Sequence, residues 1–238
     1  MYENETVIRV LPCACFDIEA VESWLTDMAR EGLYLERQGI YWGLGHFYRG
    51  EPRALPYRLV SSLESTTIFQ QARINGSPPP QEALDLAAYY GWEYVAYMDG
   101  FFLYRGTIEH PREMETDPLL QATAIRKLFW WNIFLLPILL LCEYYLSFRN
   151  YSSPTSFLSS PMPVLVVFFL SMALGLVEIF WKYVHYRALI CALEQGHPLD
   201  HRKPWKPHAK YWLAWKAVNV VLVILFAVLL FLPRSLFP

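Results

Sequence analysis

Charge is scarce in this chain. Only 18% of its 238 residues are Asp, Glu, Lys or Arg, against roughly a quarter in ordinary soluble domains. Lysine does not occur before Lys127. The four cysteines, Cys13, Cys15, Cys142 and Cys191, are too few for a small disulfide scaffold. Cys13 and Cys15 have no second pair to complete a zinc set. All four are expected as reduced thiols, with no metal or other cofactor. No secretory signal peptide is expected either, because the first thirty residues carry Glu3, Glu5, Asp17, Glu19, Glu22 and Asp27 and no apolar core. A nucleophile elbow, a Walker loop, a dinucleotide fingerprint and a His-Glu-x-x-His helix are all missing. Gly43-Leu44-Gly45 is a hairpin turn and not a phosphate cradle, since no helix start follows it. Without a convergent acid, base and nucleophile set, the chain is not expected to be an enzyme.

Apolar and aromatic residues are abundant instead. Hydrophobic residues make up 55%, with 15 Phe, 16 Tyr and 9 Trp, which excludes a disordered chain. The net charge of −2 hides a split. Residues 1–117 hold 9 basic and 18 acidic side chains, and residues 118–238 hold 11 and 4. An acidic first half is a poor partner for nucleic acid, whose affinity rests on basic surface.

Three stretches meet the length needed to cross a bilayer, about twenty apolar residues: 128–146, 164–181 and 217–232. Trp130, Trp131, Tyr144, Tyr145, Trp181, Tyr183, Trp212 and Trp215 stand at their ends, where aromatic rings favour the headgroup level. Flanking Lys and Arg are ten on one side (Arg112, Arg126, Lys127 and seven between 182 and 216) against Arg149 and Arg234 on the other. The positive-inside rule then puts the N-terminus and the basic loop in the cytoplasm and the C-terminus outside. The expected organisation is a cytoplasmic α+β domain (1–110), an acidic linker and membrane approach (111–127) and an all-α three-helix transmembrane anchor (128–238). Charges within the spans flag function. Glu178 and Lys182 have the spacing of a helical ion pair, Lys216 sits where it too can reach Glu178, and Glu143 lies near the outer end of the first span. The basic loop, with Trp205, is expected to meet anionic headgroups, so the lipid bilayer is the first partner.

The soluble part reads as two copies of strand–helix–strand–strand. Thr6–Cys15 is a strand, Asp17 an N-cap, and Ile18, Val21, Leu25 and Met28 one apolar helix face with Trp24 and Ala29 beside it. Gly32 ends that helix, and Leu33–Trp42 and Gly45–Arg49 form a hairpin. The order returns as a strand over Tyr57–Ser65, a helix over Gln81–Tyr90 with Leu84, Ala87 and Ala88 inward, and a hairpin of Trp92–Met98 and Phe101–Arg105. Such units bury their apolar faces by joining, and one sheet with both helices on one side is expected. Glu22-Ser23-Trp24-Leu25, Met28-Ala29-x-Glu31-Gly32-Leu33, Phe47-Tyr48-Arg49, Tyr57-Arg58-Leu59, Tyr90-Gly91-Trp92-Glu93 and Phe102-Leu103-Tyr104-Arg105 together resemble the bacterial family called domain of unknown function 2812. The resemblance covers about residues 5–118. Leu33 departs from the usual Trp after the first Gly. It implies a cytoplasmic domain often tethered to the membrane and often encoded beside PadR-type regulators, and it carries over no catalytic residue. Doubled units of the gyrase-inhibitor type have the same element order, an analogy of fold alone.

More aromatic side chains crowd the two hairpins than one core can hold, because strand faces alternate. Tyr48-Arg49-Gly50 also matches Tyr104-Arg105-Gly106. An open face lined by Trp42, Tyr48, Trp92 and Tyr104, with Arg49 and Arg105 at its ends, would suit a flat apolar or anionic ligand. The same arginines would otherwise pair with Glu36 and Glu93. The expected function is a membrane-tethered, non-enzymatic sensor or regulator binding such a ligand or a regulatory protein. The rival reading is a small transport or channel component with an accessory soluble domain.

Overall fold

The computed structural model describes residues 6–41, 43–61, 78–98, 101–114, 117–127, 129–130, 138, 145 and 162–231. Trp42, Asp99-Gly100, Glu143 and nearly all of the expected first span lie outside them. The chain divides into two compact units: Met1–Leu128 with Tyr186–Trp212, and Phe129–His185 with Leu213–Pro238.

The first unit opens with β1 (Val7–Val10), α1 (Ile18–Arg30), β2 (Leu33–Tyr41) and β3 (Leu44–Arg49). α1 starts where Asp17 accepts a hydrogen bond from the Ala20 amide at 3.3 Å, satisfying one orphan donor of the first turn. Its apolar flank is buried: Ile18, Val21, Trp24, Leu25, Met28 and Ala29. Trp24 meets Phe47 of β3 edge-on, 5.6 Å between ring centroids. The helix stops at Gly32, whose φ is 75°. A Cβ there would come within 2.6 Å of the Gly50 carbonyl oxygen, so both the turn and the packing require glycine.

β4 (Tyr57–Ser61), α2 (Gln81–Tyr89), β5 (Trp92–Met98) and β6 (Phe101–Gly106) follow in the same order. Gly91, at φ 86°, ends α2 as Gly32 ends α1. The sheets run β1-β3-β2 and β4-β6-β5, all antiparallel. They remain two three-stranded sheets where one continuous sheet was expected, with β2 alongside β5. Both facing strands are irregular. β2 loses register between Leu35 and Ile40, and β5 carries an extra residue between Tyr94 and Ala96. Bulges of this kind twist a strand and interrupt its ladder.

Burial is unequal. α1 buries eight residues and α2 only Ala87. Ala88, expected inward, is exposed, Leu84 is half-buried, and Leu86 and Tyr89 face solvent. The N-terminal strand is also shorter than expected: it ends at Val10, and Leu11–Ala14 are buried without strand pairing. The unit extends beyond residue 110. The Trp92 indole donates to the Arg112 carbonyl at 2.7 Å, and Glu113 holds Arg58. The expected linker is therefore folded onto the domain as far as residue 114, and residues 118–127 are helical.

Two long helices carry most of the remaining chain, α3 (Met162–Glu194) and α4 (Lys206–Phe231). The basic stretch 182–216, expected as a loop, is largely helical, and the true connector spans residues 195–205. Among the described residues one helix, over Leu165–Glu194, is long and apolar enough to cross a membrane. Within the second unit Val167, Phe168 and Leu222 form a small apolar cluster. Phe169, Leu176 and Phe180 on α3, and Val220, Val221 and Ile224 on α4, are more than half exposed.

Candidate functional site

Arg49 and Arg105 do not occupy matching places. Counted from the helix-ending glycines, Gly50 donates to the Gly32 carbonyl and Thr107 to that of Gly91, at 2.8 and 2.9 Å. Leu33 stands opposite Arg49, and Trp92 opposite Gly106. The position that matches Arg49 is thus Gly106, and the one that matches Arg105 is Tyr48. The likeness in text is offset by one residue from the likeness in register, and one residue moves a side chain to the other face.

Arg105 and Tyr48 meet across that relation. The Arg105 guanidinium donates to the Tyr48 hydroxyl at 2.7 Å and to Glu93 at 2.9 Å. It lies 5.4 Å from the Tyr34 ring centroid and 5.9 Å from that of Tyr48, and these two rings stack on each other. Burial opposes the Arg105 charge, but Glu93 and the Tyr57 and Tyr48 hydroxyls outweigh it and raise the pKa. The buried Tyr57 hydroxyl lies near Arg105 without a hydrogen bond of full geometry, and burial pushes its pKa up to about 12. Tyr34, Tyr48, Glu93 and Arg105 border a shallow hollow of about 350 Å³ that Arg49 does not line. Trp92 and Tyr104 belong to the core under α2, with Ala87. The expected set of six therefore does not form one cleft: two line a hollow, two are core, Arg49 is exposed elsewhere and Trp42 lies outside the described residues.

A denser constellation was not expected. It lies where the connector crosses α1. Among the described residues Glu22 is the one charged side chain that is buried, 1% exposed. One of its oxygens accepts from the Leu59 amide on edge strand β4 at 2.7 Å. The other is 2.5 Å from His201 Nδ1 and 4.0 Å from Arg58. Arg58 in turn forks onto Glu113 at 2.5 and 3.0 Å and lies over Trp92. Burial pushes the Glu113 carboxyl up, but Arg58 beside it and the nearby His201 outweigh this and hold it below its usual value.

Three further connector residues are tied to the same helix. The Asp200 amide donates to Glu19 at 2.7 Å. Lys203 reaches Asp17 at 2.8 Å and Glu19 at 3.3 Å. The Trp205 indole donates to Asp27 at 3.0 Å. Partial burial disfavours the Lys203 charge, yet Asp17 and Glu19 raise its pKa overall. His201, Lys203 and Trp205 thus meet protein carboxylates. The signal available in the sequence was complementarity, an α1 with no basic residue before Arg30 and a His-Arg-Lys-Pro-Trp-Lys run at 201–206.

In the second unit Glu178 and Lys182 form the expected ion pair, 3.2 Å apart, and Lys216 lies on α4. Asn219 donates to the Trp215 carbonyl of its own helix. Cys191 is an exposed free thiol, and the described residues hold no group of three potential metal ligands. Compared with family models, curated proteins and solved structures, the chain gives no match.

Proposed function

We propose that this chain is a membrane-tethered, non-enzymatic sensor or regulatory protein of the bacterial cell, in which the acidic flank of α1 holds the connector between two apolar helices. The carrying observation is the four-point contact of Asp17, Glu19, Glu22 and Asp27 with residues 200–205. α3 and α4 continue directly from the two ends of that connector. A ligand or partner that alters α1 would thereby alter the segment from which both helices start. The exposed apolar side chains of α3 and α4 support burial in lipid, since soluble monomers rarely show apolar patches of that extent. The three-span topology, the cytoplasmic N-terminus, the duplicated unit and the resemblance to domain of unknown function 2812 belong to this reading.

The geometry favours holding over chemistry. His201 Nδ1 is occupied by Glu22, and the other Glu22 oxygen by a backbone amide. The transport rival needs polar groups deep in the spans, whereas Glu178 is neutralised by Lys182 and Asn219 by its own helix. The test uses the full chain in lipid nanodiscs. Glu19→Gln with Lys203→Ala should speed amide exchange at 199–203 and leave β3 and β6 unchanged. Equal exchange in the two proteins would show that α1 does not hold the connector. An efflux or growth defect from Glu178→Gln would instead favour transport.

A further inference from the structure

Of the connector side chains that meet α1, His201 alone changes charge near neutral pH, because an imidazole titrates between about pH 5 and 8. Lys203 stays charged there and Trp205 is neutral. The His201 ring is 27% exposed and borders an open groove, so protons reach it from solvent while the connector stays in place. Among the described residues Glu22 is the only charged side chain within hydrogen-bond distance of the ring, 2.5 Å from Nδ1. Other charges face it from every side. On α1, Asp27 and Arg30 pair with each other at 2.8 Å. On β4, Arg58 lies 4.0 Å from Glu22 but forks onto Glu113. The stretch 109–113 brings Glu109 and His110 to the groove, and Glu113 is close enough to feel the ring's charge. On the connector side Arg202 and Lys206 line the same groove, the Asp200 carboxylate takes the Arg202 amide, and Lys203 is held by Asp17 and Glu19. The helical stretch 118–127 offers only the neutral Gln121.

Contact decides among these charges. The groove is open, and water and salt screen the charges along it, whereas Glu22 is 1% exposed and a buried charge is costly without a partner. The one guanidinium near it is committed to Glu113 by two bonds. Two carboxylates thus share one fixed cation, and the second cation is the imidazolium. We infer that His201 is a proton-operated latch, which when protonated completes the charge at Glu22 and holds the connector on α1, and when neutral lets the connector loosen. The neutral ring can still donate from Nδ1, so protonation adds charge and not a new bond. Docking takes up a proton, so it strengthens as pH falls and weakens as pH rises through the imidazole range. The latch rests on the reading of the connector as docked on α1, and it gives the proposed sensor an input, the proton activity around the first unit.

The test is amide exchange of the full chain in phosphatidylcholine nanodiscs at about pH 5.5 and about pH 8.5, either side of the ordinary imidazole value, with rates corrected for intrinsic exchange. The reporter is the Asp200 amide, which donates to Glu19, and β3 and β6 are the reference. Protection at Asp200 should fall at least about fivefold from the lower pH to the higher. That is the most a fully exposed ion pair is worth, and this pair has one buried member. A smaller fall, or a rise, overturns the latch. His201→Asn keeps a neutral donor near the Nδ1 position and should abolish the response; a full response in that variant also overturns the latch. Should His201→Asn leave Asp200 unprotected at both pH values, the other five of the six histidines, changed singly to Asn, decide. The response survives in all five if His201 carries it, and its loss in any one overturns the latch. Equal protection of Asp200 at both pH values in the original chain removes the latch and leaves the docked connector standing, and no protection at either removes both.

Discussion

Glu22→Ala is the most discriminating perturbation of the first unit. The carboxylate is 1% exposed and serves three groups at once: the Leu59 amide, His201 and, more distantly, Arg58. Alanine leaves the Leu59 amide without an acceptor and a cavity beside it. Hydrogen bonds to charged groups are worth about 1.5–3 kcal/mol each, and breaking a buried pair by deleting one partner costs about 3–5 kcal/mol. These contributions overlap, so about 3–5 kcal/mol is the expected loss. At about 2–4 °C per kcal/mol for a domain of this size, the first unit should melt roughly 10 °C lower. Glu22→Gln keeps the shape and one carbonyl acceptor, so its loss should be about half as large. Differential scanning calorimetry of the full chain in nanodiscs reads the shift. Amide exchange reads the cause, because the Leu59 amide should lose protection in Glu22→Ala and keep much of it in Glu22→Gln. A double-mutant cycle with His201→Ala should show coupling above about 0.5 kcal/mol. A melt within about 0.5 kcal/mol of the original, the level of ordinary surface changes, would refute the argument that this carboxylate joins α1, β4 and the connector.

Four other outcomes are expected. Trp24→Ala should destabilise the first unit by about 3–5 kcal/mol, since the ring is buried against Phe47; a loss under about 1 kcal/mol by denaturant melts would contradict its core role. Tyr57→Phe removes a buried hydroxyl without a full hydrogen bond, so stability should stay the same or rise by up to about 1 kcal/mol, and ultraviolet titration should lose a tyrosine that ionises only near pH 12. The Glu113 pKa is lowered on folding, so its contribution is present above the ordinary carboxyl value and disappears as pH falls through the folded value; the Lys203 pKa is raised, so its contribution is present below the ordinary lysine value and disappears as pH rises through the folded value. Arg58→Ala should flatten the acid limb of stability against pH and Asp17→Asn the alkaline limb, and unchanged limbs would exclude these pairs. Pro80, at the start of α2, offers no side-chain cap, so Pro80→Asp should stabilise that helix by about 0.5–1 kcal/mol and slow its amide exchange several-fold; unchanged exchange would mean α2 does not open locally.

α1 was legible in the sequence because its determinants are local. A capping Asp17, apolar residues at helical spacing and a glycine stop lie within sixteen consecutive positions, and each acts on its near neighbours. The hairpins were legible for the same reason, with ends shifted by a residue or two. The burial of Glu22 was not, although a trace of it was present: the residue follows Ile18 by four and precedes Leu25 by three, inside the apolar flank. A carboxylate at such a position must be satisfied by a partner, but helical spacing cannot say which. The partners are 37 and 179 residues away, beyond the reach of any periodicity. The connector's contacts are hidden for a related reason. Proximity to apolar spans points its cations toward headgroups, and nothing in the local pattern shows that Lys203 and Trp205 also reach carboxylates of α1.

The register offset explains why the expected ligand face did not assemble. Short text such as Tyr-Arg-Gly carries no information on which face a strand residue takes, because that depends on where pairing begins. Pairing begins at the glycines, and from them Arg105 matches Tyr48. In one half the position holds a neutral ring, in the other a cation, and the two bond to each other. The arginine meant to flank one end of a cleft is thereby spent at the junction of the two sheets. The second half also has a weakly buried helix, with Leu86 and Tyr89 exposed, while α1 carries both the core and the acidic flank. Carboxylates that cap α1 and pair with Arg30 also reach the connector, 170 residues or more further along the chain. α1 thus combines a buried apolar flank with the carboxylates that meet the connector, a combination α2 does not repeat among the described residues.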